Sequence, residues 1–151
     1  MVLWRLTRRP YADLHGRGGE LADGRWHTRG RPVVYGSSTA ALAALEVRVH
    51  LDLPFDLLPD DYVLMRIAVP DDMAVRAVEP RGLPESWRER DSQSCRAIGD
   101  AWLAELSSAL LLVPSVIIPF EQNVLINPLH REAARLAIAD LTPFAWDSRL
   151  W

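Results

Sequence analysis

The apolar segments of this chain are short, because prolines, glycines and charged residues interrupt them. The longest covers residues 109–120 and is broken by Pro114, Ser115 and Pro119. It falls well short of the ~20 uninterrupted apolar residues that a membrane-spanning helix needs. We therefore predict no membrane segment, and we expect 110–113 and 116–118 to form buried strands joined by a bend at Pro114.

Strand and helix patterns alternate along the rest of the chain. Residues 62–69 alternate large apolar side chains with Leu64, Arg66 and Ala68, which is the period of a strand. Gly36-Ser37-Ser38 resembles a turn and helix cap, and the alanine-rich segment after it predicts a helix to about His50. Other predicted elements are strands over 2–6, 32–35 and 136–141, a helix from a Ser92 or Ser94 cap through Leu106, a short helix within 129–135, a long loop over 10–24 and irregular structure over 71–91. This order favours one α+β domain over residues 1–151.

The charges of the chain argue against nucleic-acid binding. All 17 positive side chains are arginine, and the net charge is −3. A general nucleic-acid binder usually has a basic face that neutralises phosphates, and here acidic residues outnumber basic ones. Because the chain has no lysine, Schiff-base chemistry and a Walker phosphate loop are excluded.

The cysteine content and the N-terminus predict a cytoplasmic protein. The chain has a single cysteine, Cys95, which cannot form an internal disulfide. Arg5, Arg8 and Arg9 interrupt the N-terminal residues, so no apolar stretch typical of a signal peptide is present.

The common catalytic motifs are missing. Gly16, Gly18 and Gly19 lack the strand–glycine–helix arrangement of a phosphate loop. The histidines are too far apart in sequence for a typical zinc site, so we expect no metal. We also expect no bound cofactor. No serine lies in a Gly-x-Ser-x-Gly elbow.

Several polar residues instead interrupt apolar segments in a recognisable order. The ordered blocks are Leu3-Trp4-Arg5, Gly24-Arg25-Trp26, Val33-Val34-Tyr35, Leu45-Glu46 with His50, Ile98-Gly99-Asp100 with Trp102, Val113-Pro114-Ser115, Asn123 with Leu125, Asn127-Pro128 with His130, and Pro143-Phe144 to Leu150. Together they resemble the RES domain family over almost the whole chain. That family is similar in fold to ADP-ribosyltransferases, which implies mixed, mostly antiparallel central sheets flanked by helices. Its name refers to an arginine, a glutamate and a serine, which match Arg25, Glu46 and Ser115 here.

The resemblance implies a bacterial toxin that consumes NAD. The leading hypothesis is cleavage of the bond between nicotinamide and ribose, by hydrolysis or phosphorolysis, which depletes NAD and arrests growth. Two alternatives stay open: a mono-ADP-ribosyltransferase that modifies a protein, and an inactive module that only binds an antitoxin. The resemblance also implies an Xre-type helix-turn-helix antitoxin that blocks the active site. A homodimer within such a complex is a further alternative.

The chemistry of NAD suggests a role for each matched residue. Glu46 would stabilise the positive charge that develops on the ribose, and the Arg25 guanidinium would hold the diphosphate. Tyr35 would stack on nicotinamide. Ser115 and Asn123 would hydrogen-bond the ribose or the amide, and Trp26 and His50 complete the predicted substrate-binding set.

Each residue also has a structural interpretation that the sequence leaves open. Arg25 could be a surface arginine, Tyr35 an ordinary strand aromatic, Ser115 a turn hydroxyl and Trp26 a core residue. Glu46 could pair with Arg48 or Arg31 at the edge of its helix, and His50 could be a structural partner of Glu46. The sequence also departs from the family pattern twice, because His27 replaces a common asparagine and Asp23 replaces a common glycine.

Overall fold

The computed structural model describes residues 1–151 and contains seven strands and three α-helices. The strands are β1 Val2–Arg8, β2 Val34–Ser37, β3 Tyr62–Ala68, β4 Val75–Ala77, β5 Leu110–Pro114, β6 Gln122–Ile126 and β7 Ala137–Pro143. The α-helices are α1 Arg17–Leu21, α2 Ala40–Arg48 and α3 Gln93–Glu105. Six 3₁₀ turns lie between them, at Arg9–Tyr11, Phe55–Leu57, Pro80–Gly82, Glu85–Arg88, Arg131–Arg135 and Ser148–Leu150.

All seven strands join one sheet in the order β4-β5-β6-β2-β1-β3-β7. Every neighbouring pair is antiparallel except β4 and β5, which are parallel. The predicted α+β class with mostly antiparallel pairing is therefore confirmed, with one sheet where several were expected.

The two faces of the sheet carry different cores. One face packs against the chain around Ala12, Leu14 and Ala133, and its buried side chains include Leu3, Val34, Met65, Ile67, Leu110, Val124 and Ile126. The opposite face carries the two longer helices. There α3 packs through Trp102 and Leu103 against Leu111, Val113 and Leu125, and α2 packs through Ala43 near Leu6. The surface between α2 and α3 on this second face is where the candidate site lies.

The ends of both long helices follow from capping side chains. The hydroxyl of Ser92 accepts from Cys95 N at 3.3 Å, which begins α3, and Leu106 ends it in a left-handed conformation. This confirms one of the two predicted caps. The cap predicted for α2 was wrong: Gly36 and Ser37 belong to β2, and Thr39 is the capping residue, accepting from Leu42 N at 3.1 Å.

Several predicted boundaries were also wrong. Residues 116–118 are not a strand, because the Ser115 hydroxyl accepts from Ile117 N and Ile118 N, both at 3.1 Å, and so takes amides that a strand would use in its ladder. Strand β6 was not predicted because it begins with the polar residues Gln122 and Asn123. The predicted loop over 10–24 contains α1, and the irregular stretch over 71–91 contains β4.

The C-terminus anchors the end of α2. Arg48 Nε donates to Leu150 O at 2.7 Å, and its guanidinium lies 4.0 Å from the centre of the Trp151 ring. Trp151 Nε1 in turn donates to Leu53 O at 2.9 Å. The last residues of the chain therefore close over the turn that follows α2.

No helix combines the length and the apolar character that a bilayer crossing needs; the longest, α3, has 13 residues.

Candidate active site

Glu46 lies near the C-terminal end of α2 and points toward the sheet. Its Oε1 accepts a hydrogen bond from Asn123 Nδ2 at 2.5 Å and another from Ser115 Oγ at 3.1 Å. Both donors bind the same oxygen, and no protein group donates to Oε2. Hydrogen bonds to an ionised carboxylate are strong and directional, so they orient Glu46 with one oxygen held and one available. The alternative ion pairs do not form, since Arg48 binds Leu150 O and Arg31 binds Asp100.

Asn123 is oriented by the neighbouring strand. It lies opposite Ser37 in the pairing of β2 with β6, and its Oδ1 accepts from Ser37 Oγ at 2.8 Å. That contact directs the amide nitrogen to Glu46. Ser37 is 2% exposed and is a site residue that sequence reasoning missed, because Gly36-Ser37-Ser38 resembled a turn. The only sequence signal was a serine two residues after Tyr35, a spacing that puts both side chains on one face if the strand continues.

Ser115 follows β5 and organises the loop that leads to β6. Its hydroxyl donates to Glu46 and accepts the two loop amides described above. Thr39 Oγ1 donates to Glu121 Oε2 at 2.7 Å, which ties the other end of this loop to the start of α2. Phe120 lies within the loop with a fully exposed ring and a positive φ of 73°. The residues predicted from the family pattern, Glu46, Ser115 and Asn123, are thus brought together.

Arg25 lies on a loop that is packed against α3. Its Nη1 donates to Trp87 O at 2.8 Å and to Glu89 O at 2.7 Å. Nη2 and Nε make no hydrogen bond within the protein. Asp100 of α3 holds the same loop by accepting from Thr28 N at 2.8 Å and Thr28 Oγ1 at 2.6 Å. The Arg25 guanidinium is therefore held in place through Nη1, with its Nη2 and Nε donors available, and Arg25 is not a free surface side chain.

The loop carrying Arg25 approaches α3 at Gly99. A Cβ atom built on Gly99 would lie 1.6 Å from Trp26 O, so only glycine permits this contact. Asp23, one of the two departures from the family pattern, accepts from Arg29 N at 2.7 Å and closes the loop on itself.

Tyr35 projects from the same face of β2 as Ser37, because residues two apart in a strand share a face. Their Cα atoms are therefore about 7 Å apart along the strand. Burial raises the pKa of Tyr35 above its ordinary range, while the hydrogen bond from Trp26 N and the charge of Arg25 act in the opposite direction. The Tyr35 hydroxyl accepts from Trp26 N at 3.1 Å, so it contacts the residue that follows Arg25. Tyr35 thus connects the Arg25 loop to the Glu46 cluster.

Trp26 and His50 lie outside this cluster. Trp26 is 2% exposed and belongs to the core between α3 and the sheet, which agrees with its structural interpretation. His50 follows α2 in an exposed turn, and its side chain makes no hydrogen bond to Glu46. Their predicted contact with substrate stays a prediction.

Two surface cavities lie elsewhere on the molecule. A cavity of about 250 Å³ lies between β4 and α3, with Val78 and Trp102 in its lining. Another of about 310 Å³ is bordered by Arg31, Leu106 and Leu129. Neither is lined by Glu46, Ser115, Asn123, Arg25 or Tyr35.

The chain is similar to curated bacterial toxins over its whole length. The Pseudomonas putida protein named Toxin Res is 40% identical, and the match covers 100% of both chains. The Sphingobium protein named Prs ADP-ribosylating toxin is 38% identical, and the match covers 97% of this chain and 94% of that protein.

The fold is also shared with a solved structure. A chain of the M. tuberculosis MbcT–MbcA toxin–antitoxin complex superposes with a TM-score of 0.79 at 22% identity, over 95% of this chain and 84% of that chain. In sequence, residues 2–147 match the RES domain. This protein is therefore a member of the RES domain family and a relative of bacterial toxins that match it from end to end.

Proposed function

We propose that this protein is the toxin of a toxin–antitoxin pair and that it cleaves the nicotinamide–ribose bond of NAD. The observation that carries the proposal is the Glu46 carboxylate, with Oε1 held by Ser115 and Asn123 and Oε2 without a protein partner. Membership of the RES domain family supports the same conclusion.

The reaction needs a negative charge close to C1′ of the ribose. As the bond from C1′ to the nicotinamide nitrogen breaks, its electron pair leaves with nicotinamide and positive charge develops on the ribose, as in glycoside cleavage. A carboxylate that is already oriented stabilises that charge without reorganising during the reaction. Water then adds to C1′ and releases a proton, giving ADP-ribose, or phosphate adds and gives its phosphorylated form. Glu46 Oε2 would face this carbon.

Arg25 and Tyr35 would hold the two ends of the reacting half of NAD. The Nη2 and Nε donors of Arg25 are available for a diphosphate oxygen, while Nη1 is held by two main-chain carbonyls. The Tyr35 ring lies on the same sheet face as Ser37, whose hydroxyl orients Asn123. A nicotinamide ring stacked on Tyr35 would place its ribose toward Glu46.

Transfer of ADP-ribose to a protein is the second candidate. It is favoured by the Sphingobium relative, whose name describes an ADP-ribosylating toxin. Bond breakage at C1′ is the same in both reactions, and only the group that adds to C1′ differs.

An Xre-type antitoxin that covers the site is the proposed partner, since the similar solved chain comes from a toxin–antitoxin complex. The cytoplasmic location and the absence of a metal or cofactor stay predictions.

A direct test incubates the protein, made by cell-free synthesis, with adenine-labelled NAD. Glu46→Gln keeps the size of the side chain and removes its charge, so we expect NAD cleavage to fall by about 100-fold or more. Glu105→Gln is the matched control, because Glu105 also lies on a helix and forms only an exposed ion pair with Arg76. This variant should cleave NAD at the wild-type rate.

Three products distinguish the candidates. Free ADP-ribose indicates hydrolysis, its phosphorylated form indicates phosphorolysis, and label on a protein band in added bacterial lysate indicates transfer. Wild-type protein that is folded and leaves NAD intact would reject the proposal and favour the inactive antitoxin-binding module. Equal cleavage by Glu46→Gln would reject the role of Glu46.

A further inference from the structure

The hydroxyl of Tyr35 makes two hydrogen bonds within the protein. Trp26 N donates to it at 3.1 Å, and it lies 2.7 Å from Nδ1 of His27. His27 is 3% exposed, so its ring nitrogens contact protein groups and not solvent. These contacts occupy both the hydrogen and an acceptor position of the hydroxyl.

The other ring nitrogen of His27 determines the direction of that bond. Nε2 lies 2.8 Å from Ala22 O and 3.2 Å from Gly19 O. Carbonyl oxygens only accept hydrogen bonds, so Nε2 carries the hydrogen. In the neutral imidazole Nδ1 is then the acceptor, and the Tyr35 hydroxyl donates to it.

Gly24 packs closely against a further side of the pair. A Cβ atom on Gly24 would lie 2.5 Å from the Tyr35 hydroxyl and 2.6 Å from Nδ1 of His27. Its main chain also bonds to His27, with Gly24 N donating to His27 O at 3.0 Å. A ligand therefore has no room to reach the hydroxyl from this direction.

We infer that His27 is a positioning residue that keeps the Tyr35 hydroxyl inside the protein, so that Tyr35 offers a substrate its aromatic ring and not its hydroxyl. The inference rests on the proposed function and specifies one part of it: the site recognises a flat heteroaromatic ring by stacking. Because Trp26 N shares the same hydroxyl, the contact also holds the backbone next to Arg25. His27 thus links the groups proposed to bind nicotinamide and diphosphate.

Matched substitutions separate positioning from simple stability. His27→Asn places an amide close to the position of Nδ1 and can keep the bond to Tyr35, whereas His27→Gln reaches the position of Nε2 and loses it. We expect His27→Asn to keep KM for NAD within about 2-fold of wild type. We expect His27→Gln and Tyr35→Phe to raise KM by about 5-fold to 10-fold, the effect of one hydrogen bond, with kcat nearly unchanged. The double variant His27→Gln/Tyr35→Phe should have a KM no higher than that of either single variant.

Several kinetic outcomes would overturn the inference. A large fall in kcat for Tyr35→Phe would mean that the hydroxyl takes part in the reaction. Equal impairment of His27→Asn and His27→Gln, or additive effects in the double variant, would mean that His27 does not act through Tyr35. Tyr35→Leu, which removes the ring, should raise KM far more than Tyr35→Phe, and similar values for the two would exclude stacking.

A spectroscopic measurement tests the contact independently of NAD. In protein with ¹⁵N-labelled histidine, the chemical shifts of the His27 ring should report the form with hydrogen on Nε2. If His27 instead carries its hydrogen on Nδ1 in a chain that consumes NAD, only the positioning role of His27 would be overturned. The expected form in a chain that leaves NAD intact would overturn the proposed function, and with it the link to substrate, while the contact itself would stand.

Discussion

The candidate site depends on single polar side chains that are buried or half-buried and hydrogen-bonded to other protein groups. Ser37, Ser115 and Asn123 form one connected set around Glu46 Oε1, and Tyr35 and His27 form a second. Burying such groups without partners would cost about 1–3 kcal/mol each. Since their partners are present, the same bonds that remove this cost also orient the groups proposed to act on a substrate.

Tyr35 provides a pH-dependent test at this scale. Burial raises its pKa above the ordinary value of 10.0, so the unfolded chain loses this proton at lower pH than the folded protein does. The free energy of unfolding should therefore fall as pH rises above about 10. Tyr35→Phe removes this group, so the stability advantage of wild type over the variant should shrink between about pH 8 and pH 11.

Urea unfolding of both proteins at several pH values measures that advantage. Tyr62, whose pKa burial also raises, is present in both proteins and cancels in the difference. An advantage that stays constant over this range would show that the Tyr35 hydroxyl is not buried as described.

At the scale of elements, the site is formed where a helix, two strands and two loops meet. Helix α2 supplies Glu46, β2 and β6 supply Ser37 and Asn123, and the loop after β5 supplies Ser115. The Arg25 loop reaches the same face of the sheet only because α3 lets its backbone come close at Gly99. A change in that packing should therefore affect Arg25 as well as the stability of the fold.

Gly99→Ala tests this packing. The added methyl group would overlap Trp26 O, so we expect the free energy of unfolding to fall by about 3 kcal/mol and NAD cleavage by the folded protein to fall as well. Gly82→Ala is the matched control, because a Cβ there meets no atom within 4 Å, and it should change stability by less than about 0.5 kcal/mol. Chemical denaturation measures the free energy of unfolding of both variants. Equal stability of the two variants would contradict the close packing at Gly99.

At the scale of the whole molecule, the site depends on contacts between distant parts of the chain. Glu46 is 69 residues from Ser115 and 77 from Asn123, and one sheet brings them together. No fragment contains Glu46 and both of its donors unless it extends from α2 to β6. Loss of the sheet should therefore remove the site and the core together.

Cys95 reports on the integrity of the whole fold. It is 0% exposed in α3, and its thiol donates to Trp87 O at 3.7 Å. We expect a thiol reagent to label native protein only at the rate of global unfolding, and to label denatured protein at once. The rate of labelling with increasing urea should follow unfolding measured by tryptophan fluorescence. Rapid labelling without denaturant would show that α3 opens independently of the sheet.

Local patterns predicted those elements whose signals lie within a few neighbouring residues. The period-two alternation predicted β3, Ser92 was one of two expected caps for α3, and the mixture of patterns predicted the α+β class. The resemblance to the RES domain family grouped Glu46, Ser115 and Asn123, which do meet in space, while their roles on a substrate stay predictions. The predictions of β3 and of the α3 cap succeeded because side-chain period and capping depend on residues close together in the chain.

The contacts that complete the site were decided by tertiary structure. Strand β6 begins with polar side chains that no local pattern assigns to a strand, and Ser37 resembled a turn residue until β2 paired with β6. The carbonyl partners of Arg25 lie 62 and 64 residues away, and the bond between Tyr35 and His27 depends on how a loop packs on α3. Sequence alone determined which chemical groups the protein has and most of its local structure. The register of the sheet and the packing of its helices determined which of those groups meet, because hydrogen bonds between distant residues depend on their positions in space.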